Sequence, residues 1–357
     1  MIETPEPSAV AAEITRQTPL IAEEVVTRQY DLQPGLWEKY GARGRILRLR
    51  DVNYHLPFLT SAIEAGNPEL FAQYIGWLRT LFTSLGHDDA STTITLNCIR
   101  DVLLDRLPAD MGGTAATFVD AGLTEMKAAP RPVHAFLEDD GRPQRPLARM
   151  YLEVLLRGDR HVATRLVLDS VERGADLRDV YIHVLQDVQH EVGRLWMTNR
   201  ISVAKEHYCT AVTQNVIAQL YPRIMTVPKL GKRILVACAG GERHEVGARM
   251  VADLFELEGW EAIYLGADTP ASAVADAIRE HAPHALGISA NMAFNLVSVR
   301  EVIAAARRAD KSGQMKALVG GYQFNANVEL WQKTGADAWA PDGRQAVGVA
   351  NALTARG

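Results

Sequence analysis

The segment Ala239-Gly240-Gly241-Glu242-Arg243-His244-Glu245-Val246-Gly247 places a carboxylate two residues before an imidazole and a glycine three residues after it. In that order Glu242 can bind one ring nitrogen of His244 and fix its tautomer, which raises the basicity of the other nitrogen as a metal ligand. Gly247 would let a bulky ligand pass close to the backbone. Read alone, the same residues also describe an exposed histidine at a helix start, with Glu242 as its cap. Two further segments offer complementary groups. Ile288-Ser289-Ala290-Asn291 supplies a small hydroxyl, and in Val319-Gly320-Gly321-Tyr322 a glycine pair signals backbone approached closely by something flat or by an adjacent element.

These segments meet only if strands end on them. From Arg233 the chain alternates short apolar runs, RILVACA, EAIYLG, ALGIS, KALVGG and DAWA, with helical stretches starting near His244, Pro270, Asn295, Asn325 and Asp342. Five buried strands alternating with helices predict an α/β domain with a parallel, doubly wound, flavodoxin-like (Rossmann-type) sheet over 232–357. Ligands bind such sheets at the carboxyl ends of the strands. The loops after strands one, three and four are then the functional ones, and they carry the three segments above.

Upstream the period changes. Residues 147–222 read as four amphipathic segments, PLARMYLEVLLRG, DRHVATRLVLDSVERG, DLRDVYIHVLQDVQHEVGRLW and ISVAKEHYCTAVTQNVIAQLY. Gly158 and Gly174 end the first two, and Asp159 and Asp176 can cap the second and third, so a four-helix bundle is expected. Residues 1–130 form an all-α domain, with apolar spacing of three and four residues and turns at Gly66-Asn67-Pro68 and Gly86-His87-Asp88-Asp89. Proline-bearing joints at 128–146 and 221–233 separate the three blocks.

Composition narrows the function. Thirty-eight basic residues against 43 acidic ones give a net charge of −5, which argues against a main partner that is nucleic acid. Three dispersed cysteines, Cys98, Cys209 and Cys238, make neither a disulfide framework nor a metal knuckle, so a reducing cytoplasm is expected. The amino terminus lacks the features of a signal peptide, and no run of about 18 apolar residues predicts a membrane span. A receiver domain would need an aspartate where Ser289 stands, and a flavodoxin a phosphate loop where Glu242-Arg243-His244 stands.

Together, Glu242-x-His244-x-x-Gly247, Ser289 and Gly320-Gly321 resemble the cobalamin-binding fold. The resemblance implies that His244 is the lower axial ligand to cobalt, that the cofactor's displaced nucleotide tail threads between sheet and helix, that Ser289 hydrogen-bonds that tail, and that Gly320 and Gly321 make room. Most members of that family carry aspartate where this chain has Glu242. Trp196, followed after nine residues by Glu206-His207, is similar to the cap of the cobalamin-dependent photoreceptors, which also share Glu-x-His-x-x-Gly and a Leu-Gly-x-Asp-Thr-Pro segment, here Leu265 to Pro270 with Asp268 and Thr269. The resemblance covers about 60% of the chain. It implies adenosylcobalamin under Trp196, Glu206 and His207, with light breaking the cobalt–carbon bond and loosening the bundle from the sheet.

This chain departs from the DNA-binding members of that family. Met197 stands where they place the histidine that captures cobalt after photolysis, and residues 1–130 show no winged-helix pattern. The chain is most similar to the photocobilins, which bind a linear tetrapyrrole beside cobalamin. The expectations are therefore a light sensor rather than an enzyme, biliverdin as a second chromophore with contacts at His55 and His134, and a homo-oligomer, dimer or tetramer, with no nucleic-acid or membrane partner. Cys98 reads as a core residue. The rival reading is a corrinoid protein that carries methyl groups between methyltransferases.

Overall fold

The computed structural model describes residues 5–130, 132–138 and 140–355. The outermost residues of the first and third expected domains thus lie outside the described residues. The chain divides into two compact units, 1–132 and 133–357.

The first unit is helical: α1 (Pro7–Leu32), α2 (Gly35–Glu64), α3 (Pro68–Ser84), α4 (Asp89–Arg106) and α5 (Ala109–Lys127). The two turns read from the sequence are present. The Asn67 side chain accepts from the Glu69 N–H and Asp88 accepts from the Ala90 N–H, each satisfying a donor at a helix start. Helix α1 packs on α2 and α4, and α5 on α3 and α4. Ile14, Ile21, Leu56, Leu59, Phe71, Ile75 and Ile99 are fully buried in this unit. Helix α2 is kinked at Gly41, whose φ of 55° an L side chain rarely adopts. Residues 39–50 of α2 carry Lys39, Arg43, Arg45, Arg48 and Arg50, a local basic run that the acidic total conceals. Arg45 pairs with Glu23 and Arg48 donates to Ser91, so part of that charge ties α2 to α1 and α4.

In the second unit α6 (Arg145–Arg157) ends on Gly158 at φ 87°, and α7 (Arg160–Glu172) starts on Asp159, which accepts from the Val162 N–H. The third bundle helix is composite. It begins as α8 (Leu177–Asp179) after the Asp176 cap, passes through a π segment (Val180–Gln186), and continues as α9 (Asp187–Met197). The π segment inserts a wider turn and re-aims the side chains around it, Tyr181 among them. Helix α10 (Val203–Ile224) completes the bundle.

The sheet is built from β1 (Arg233–Cys238), α11 (Val246–Leu257), β2 (Glu261–Tyr264), α12 (Ala271–His281), β3 (Ala285–Ser289), α13 (Leu296–Ala309), β4 (Lys316–Gly320), α14 (Tyr322–Ala326), β5 (Ala338–Trp339) and α15 (Gly343–Thr354). All pairs are parallel in the order β2-β1-β3-β4-β5, which is the expected doubly wound sheet. The order reverses at β1, so the crevice for a ligand opens at the ends of β1 and β3. The helix after β1 begins within the expected segment, at Val246, with His244 in the loop before it, and the stretch near Asn325 is only the short α14 followed by a 3-10 turn at Leu330–Lys333.

Bundle and sheet share one apolar core. Tyr151, Leu155, Val167, Leu185, Val188, Val216 and Leu220 of the bundle are buried in one cluster with Met250, Leu254 and Leu257 of α11. Polar contacts lock the same boundary, from Tyr181 to Asp253 at 2.8 Å and from Gln214 to Glu245 at 3.0 Å.

Candidate functional site

The strand register brings the three segments together. Ser289 of β3 is paired with Cys238 of β1 on one side and Gly320 of β4 on the other. The loops after these strands therefore rise side by side at one edge of the sheet.

Glu242 is the buried centre of this edge, with no exposed surface. Its Oε1 accepts from the His244 backbone N–H at 2.8 Å and contacts His244 Nδ1 at 2.5 Å, while Oε2 accepts from the Asn291 N–H at 2.5 Å. Burial pushes the Glu242 carboxyl up, but the hydrogen bonds from His244 and Asn291 outweigh it and hold it below its ordinary range. The His244 imidazole is raised by its bond to Glu242, against desolvation, and the charges of Glu242 and Glu206 add to the effect. Its side chain is 65% exposed, so Nδ1 is fixed on a buried carboxylate while the ring stays open to a ligand. The bond from Glu242 to the His244 N–H also explains the late start of α11, because it folds 242–244 into a turn before the helix.

The loop after β2 closes over the same turn. Asp268 Oδ1 accepts from the Gly241 N–H at 2.6 Å, and the Asp268 N–H donates to the Glu242 carbonyl. Asp268 has φ 47°, a left-handed conformation that aspartate tolerates better than most residues. Thr269 is buried and donates to the Gly266 carbonyl at 3.2 Å. In this structure Asp268 thus fastens the loop after β2 to the loop after β1, and the Thr269 hydroxyl bonds within its own loop.

The glycines divide in role. At Gly321, with φ 104°, an added Cβ would lie 2.5 Å from the Ala290 carbonyl oxygen, so the close approach foreseen there is by neighbouring backbone. At Gly320 the nearest atom would be the Ala340 oxygen at 3.2 Å. Gly247 faces open space, where a ligand has room.

The bundle contributes Glu206 and His207 from the first turns of α10 and Trp196 from the last turn of α9. Glu206 accepts from the Thr210 hydroxyl at 3.0 Å and contacts His207 Nδ1 at 2.5 Å. The Thr210 hydroxyl also lies 3.0 Å from Gln189 Oε1, so its one proton is shared between the Glu206 carboxylate and that amide oxygen. Trp196 and Met197 are half-buried, and His207 is largely exposed.

The two expected tetrapyrrole contacts lie in different units. His55 is enclosed in the first unit, with Nδ1 2.7 Å from the Tyr74 hydroxyl and Phe58 stacked on Tyr74 at 3.7 Å. His134 lies exposed in the loop that opens the second unit. All three cysteines are buried free thiols, Cys98 in the core as expected, and burial pushes Cys209 up to about 11 and Cys238 up to about 12.

Sequence reading gave no role to Asn291, Asn295 and Gln214, which strand register and packing bring to the site, nor to Glu245, which is adjacent to His244 and accepts from Gln214. Asn295 Nδ2 donates to the Gly240 carbonyl at 2.9 Å, and its buried Oδ1 has no partner among the described residues.

A five-stranded parallel sheet with a single oriented imidazole at its switch point, beneath a helical bundle, defines a cobalamin-binding module. Two family models, each described as a B12 binding domain, match residues 147–221 and 232–350 of the chain. The chain is 31% identical over 123 residues to the HTH-type transcriptional repressor CarA of Myxococcus xanthus, a match spanning 34% of this chain and 41% of that protein. It is 23% identical over 206 residues to a corrinoid protein of Desulfitobacterium hafniense, spanning 56% of this chain and 94% of that one. A dimethylamine corrinoid protein of Methanosarcina barkeri is 28% identical over 171 residues, 47% of this chain and 76% of its own length. In fold, the second unit resembles the monomethylamine corrinoid protein of Methanosarcina barkeri, with a TM-score of 0.52 at 18% identity over 59% of this chain and 99% of that one.

The residues present fit a corrinoid. Among the described residues no group of three or more His, Cys, Asp or Glu side chains could hold a metal ion, and His244 is a lone donor. A lone imidazole, turned outward and backed by a carboxylate, suits a metal that brings its other ligands in a macrocycle.

Proposed function

We propose that the module holds its corrinoid base-off, with His244 Nε2 as the lower axial ligand to cobalt and with Trp196, Glu206 and His207 closing the opposite side. The observation that carries this reading is the His244–Glu242 pair, in which the buried carboxylate engages Nδ1 and leaves Nε2 as the donor. When bound, the corrinoid supplies a cobalt whose upper alkyl group can be transferred or, in the adenosyl form, released by light. The protein's own part is to orient the donor ring, exclude alternatives through the three loops and hold the bundle against the sheet. Ser289, at the strand end beside Gly320, is assigned to the nucleotide tail.

The upper face admits two readings. A methyl carrier serving methyltransferases is supported by the corrinoid proteins that this chain matches over 76% to 94% of their lengths. A non-enzymatic light sensor using adenosylcobalamin is supported by Glu206, because a carboxylate braced by Thr210 is an acceptor that adenosyl hydroxyl or amino groups would use and a methyl group would not. The comparisons weigh more towards the carrier, and the cap chemistry towards the sensor.

One experiment separates them. The protein is loaded with adenosylcobalamin in the dark and lit with green light while absorbance and oligomeric size are followed. A spectral change with a change in size supports the sensor. An unchanged size, with methylcobalamin demethylated by a partner methyltransferase, supports the carrier. Biliverdin as a second chromophore rests on the resemblance alone, since His55 is enclosed by Tyr74 and neighbouring core residues. Co-expression with biliverdin that yields no red-absorbing protein removes it. Homo-oligomer formation is read from the same size measurement. No described helix is long and apolar enough to cross a membrane.

A further inference from the structure

Glu242 uses its two oxygens on two different loops. Oε1 serves His244, while Oε2 accepts from the backbone N–H of Asn291, beyond the end of β3. Asn291 in turn grips the loop after β4. Its Oδ1 accepts from the Tyr322 N–H at 2.9 Å, and its carbonyl accepts from Gln323 Nε2 at 3.0 Å. A continuous chain of hydrogen bonds therefore runs from the imidazole through Glu242 and Asn291 to the start of α14. Gly321 permits it, because a side chain there would strike the Ala290 backbone. A carboxylate one methylene shorter, on the same backbone, could not reach His244 and the Asn291 N–H at once. The length of the Glu242 side chain thus has a geometric use in this protein.

We infer that Asn291 is a positioning residue for the axial imidazole: its backbone N–H anchors the far oxygen of Glu242, while its side chain and Gln323 hold the loops after β3 and β4 together and so place that N–H. The inference rests on the reading of His244 as the lower axial ligand and adds how its direction is set. A displacement of α14 would be felt at the imidazole through two shared hydrogen-bonded residues. Hydrogen-bond partners behind a metal-binding histidine typically change affinity by about 10- to 100-fold when removed.

The test uses the full chain, made with isotope-labelled histidine and loaded with cobalamin reduced to the cobalt(II) state. In the wild type, labelling should change the nitrogen hyperfine pattern in the electron paramagnetic resonance spectrum, as coordination by a protein histidine requires. Glu242→Asp, which alters the direct partner of His244, should show a smaller histidine-coordinated fraction and about 10-fold weaker cobalamin binding. Asn291→Ala and Gln323→Ala, which keep the Asn291 N–H but release the loop contacts that place it, should each lower the histidine-coordinated fraction in the same direction, with the melting temperature of the ligand-free protein recording whether the fold is kept. If the wild type shows the label and all folded variants match it in hyperfine pattern and affinity, the positioning role is overturned while the axial-ligand reading stands. If the wild type shows no label effect, the axial-ligand reading itself fails. Should Asn291→Ala not fold, Gln323→Ala decides, since it removes one side-chain bond at the partly exposed end of the chain.

Discussion

The Tyr181 hydroxyl donates to the Asp253 carboxylate across 2.8 Å, joining the π segment of the bundle to α11 of the sheet in a buried setting. Burial pushes the Asp253 carboxyl up to about 6, with the nearby charge of Glu256 in the same direction and Tyr181 and Arg249 opposing it. The folded protein therefore holds this proton more tightly than the unfolded chain does. Stability from this group is fully present below about pH 4 and is lost as pH rises through about 6. Urea unfolding of the wild type minus that of Asp253→Asn should show a difference that shifts against the wild type by up to about 3 kcal/mol between those limits. A difference independent of pH would refute the assignment.

His55 is expected to act with the opposite sign. Burial, with the charge of Arg48 beside it, lowers its imidazole to about 4, so the folded first unit keeps the ring neutral against an ordinary value near 6.5. Stability from this group is present above about pH 6.5 and is lost as pH falls towards 4, by up to about 3 kcal/mol. Tyr74→Phe removes the hydroxyl that meets Nδ1 and should cost about 1–3 kcal/mol at neutral pH. Histidine ring signals followed by NMR during acid titration give the check, and a ring titrating near 6.5 in the folded protein contradicts it.

Gly321→Ala should destabilise the sheet domain by about 2 kcal/mol or more, because it adds a Cβ at φ 104° and drives it into the Ala290 carbonyl. Gly247→Ala meets nothing within 4 Å and should leave the melting temperature of the ligand-free protein close to wild type while weakening cobalamin binding. Equal effects of the two substitutions on melting would contradict the division of roles.

Replacing His244 by alanine removes the only imidazole on the loop after β1. Cobalamin added to this variant should either fail to bind or keep its own base on cobalt, as read from the visible spectrum. A spectrum identical to that of the wild type would withdraw His244 from the metal.

Much of this was legible along the chain. Short apolar runs of four to seven residues marked the five strands, and Asp159, Asp176 and Gly158 marked bundle helices whose caps the structure contains. The Glu242–His244 contact was legible because two residues of separation confine the partners to one turn. The π segment was not, since seven residues with a wider turn leave no compositional mark. Asn291 was hidden for a different reason. It lies 49 residues from Glu242, and only the pairing of β3 between β1 and β4 brings the two together.

The sequence by itself determined the kinds of element, their order and the nature of the donor, because local periodicity, capping and short-range hydrogen bonding act between near neighbours. Beyond Glu242, the groups around the donor were set by long-range packing. Strand register set Asn291 against Glu242, a shared apolar core set Glu206 of the bundle within electrostatic reach of His244, and close packing of Ala290 against Gly321 gave that glycine to the backbone. These are contacts between residues far apart in sequence, fixed by burial and pairing that no local pattern encodes.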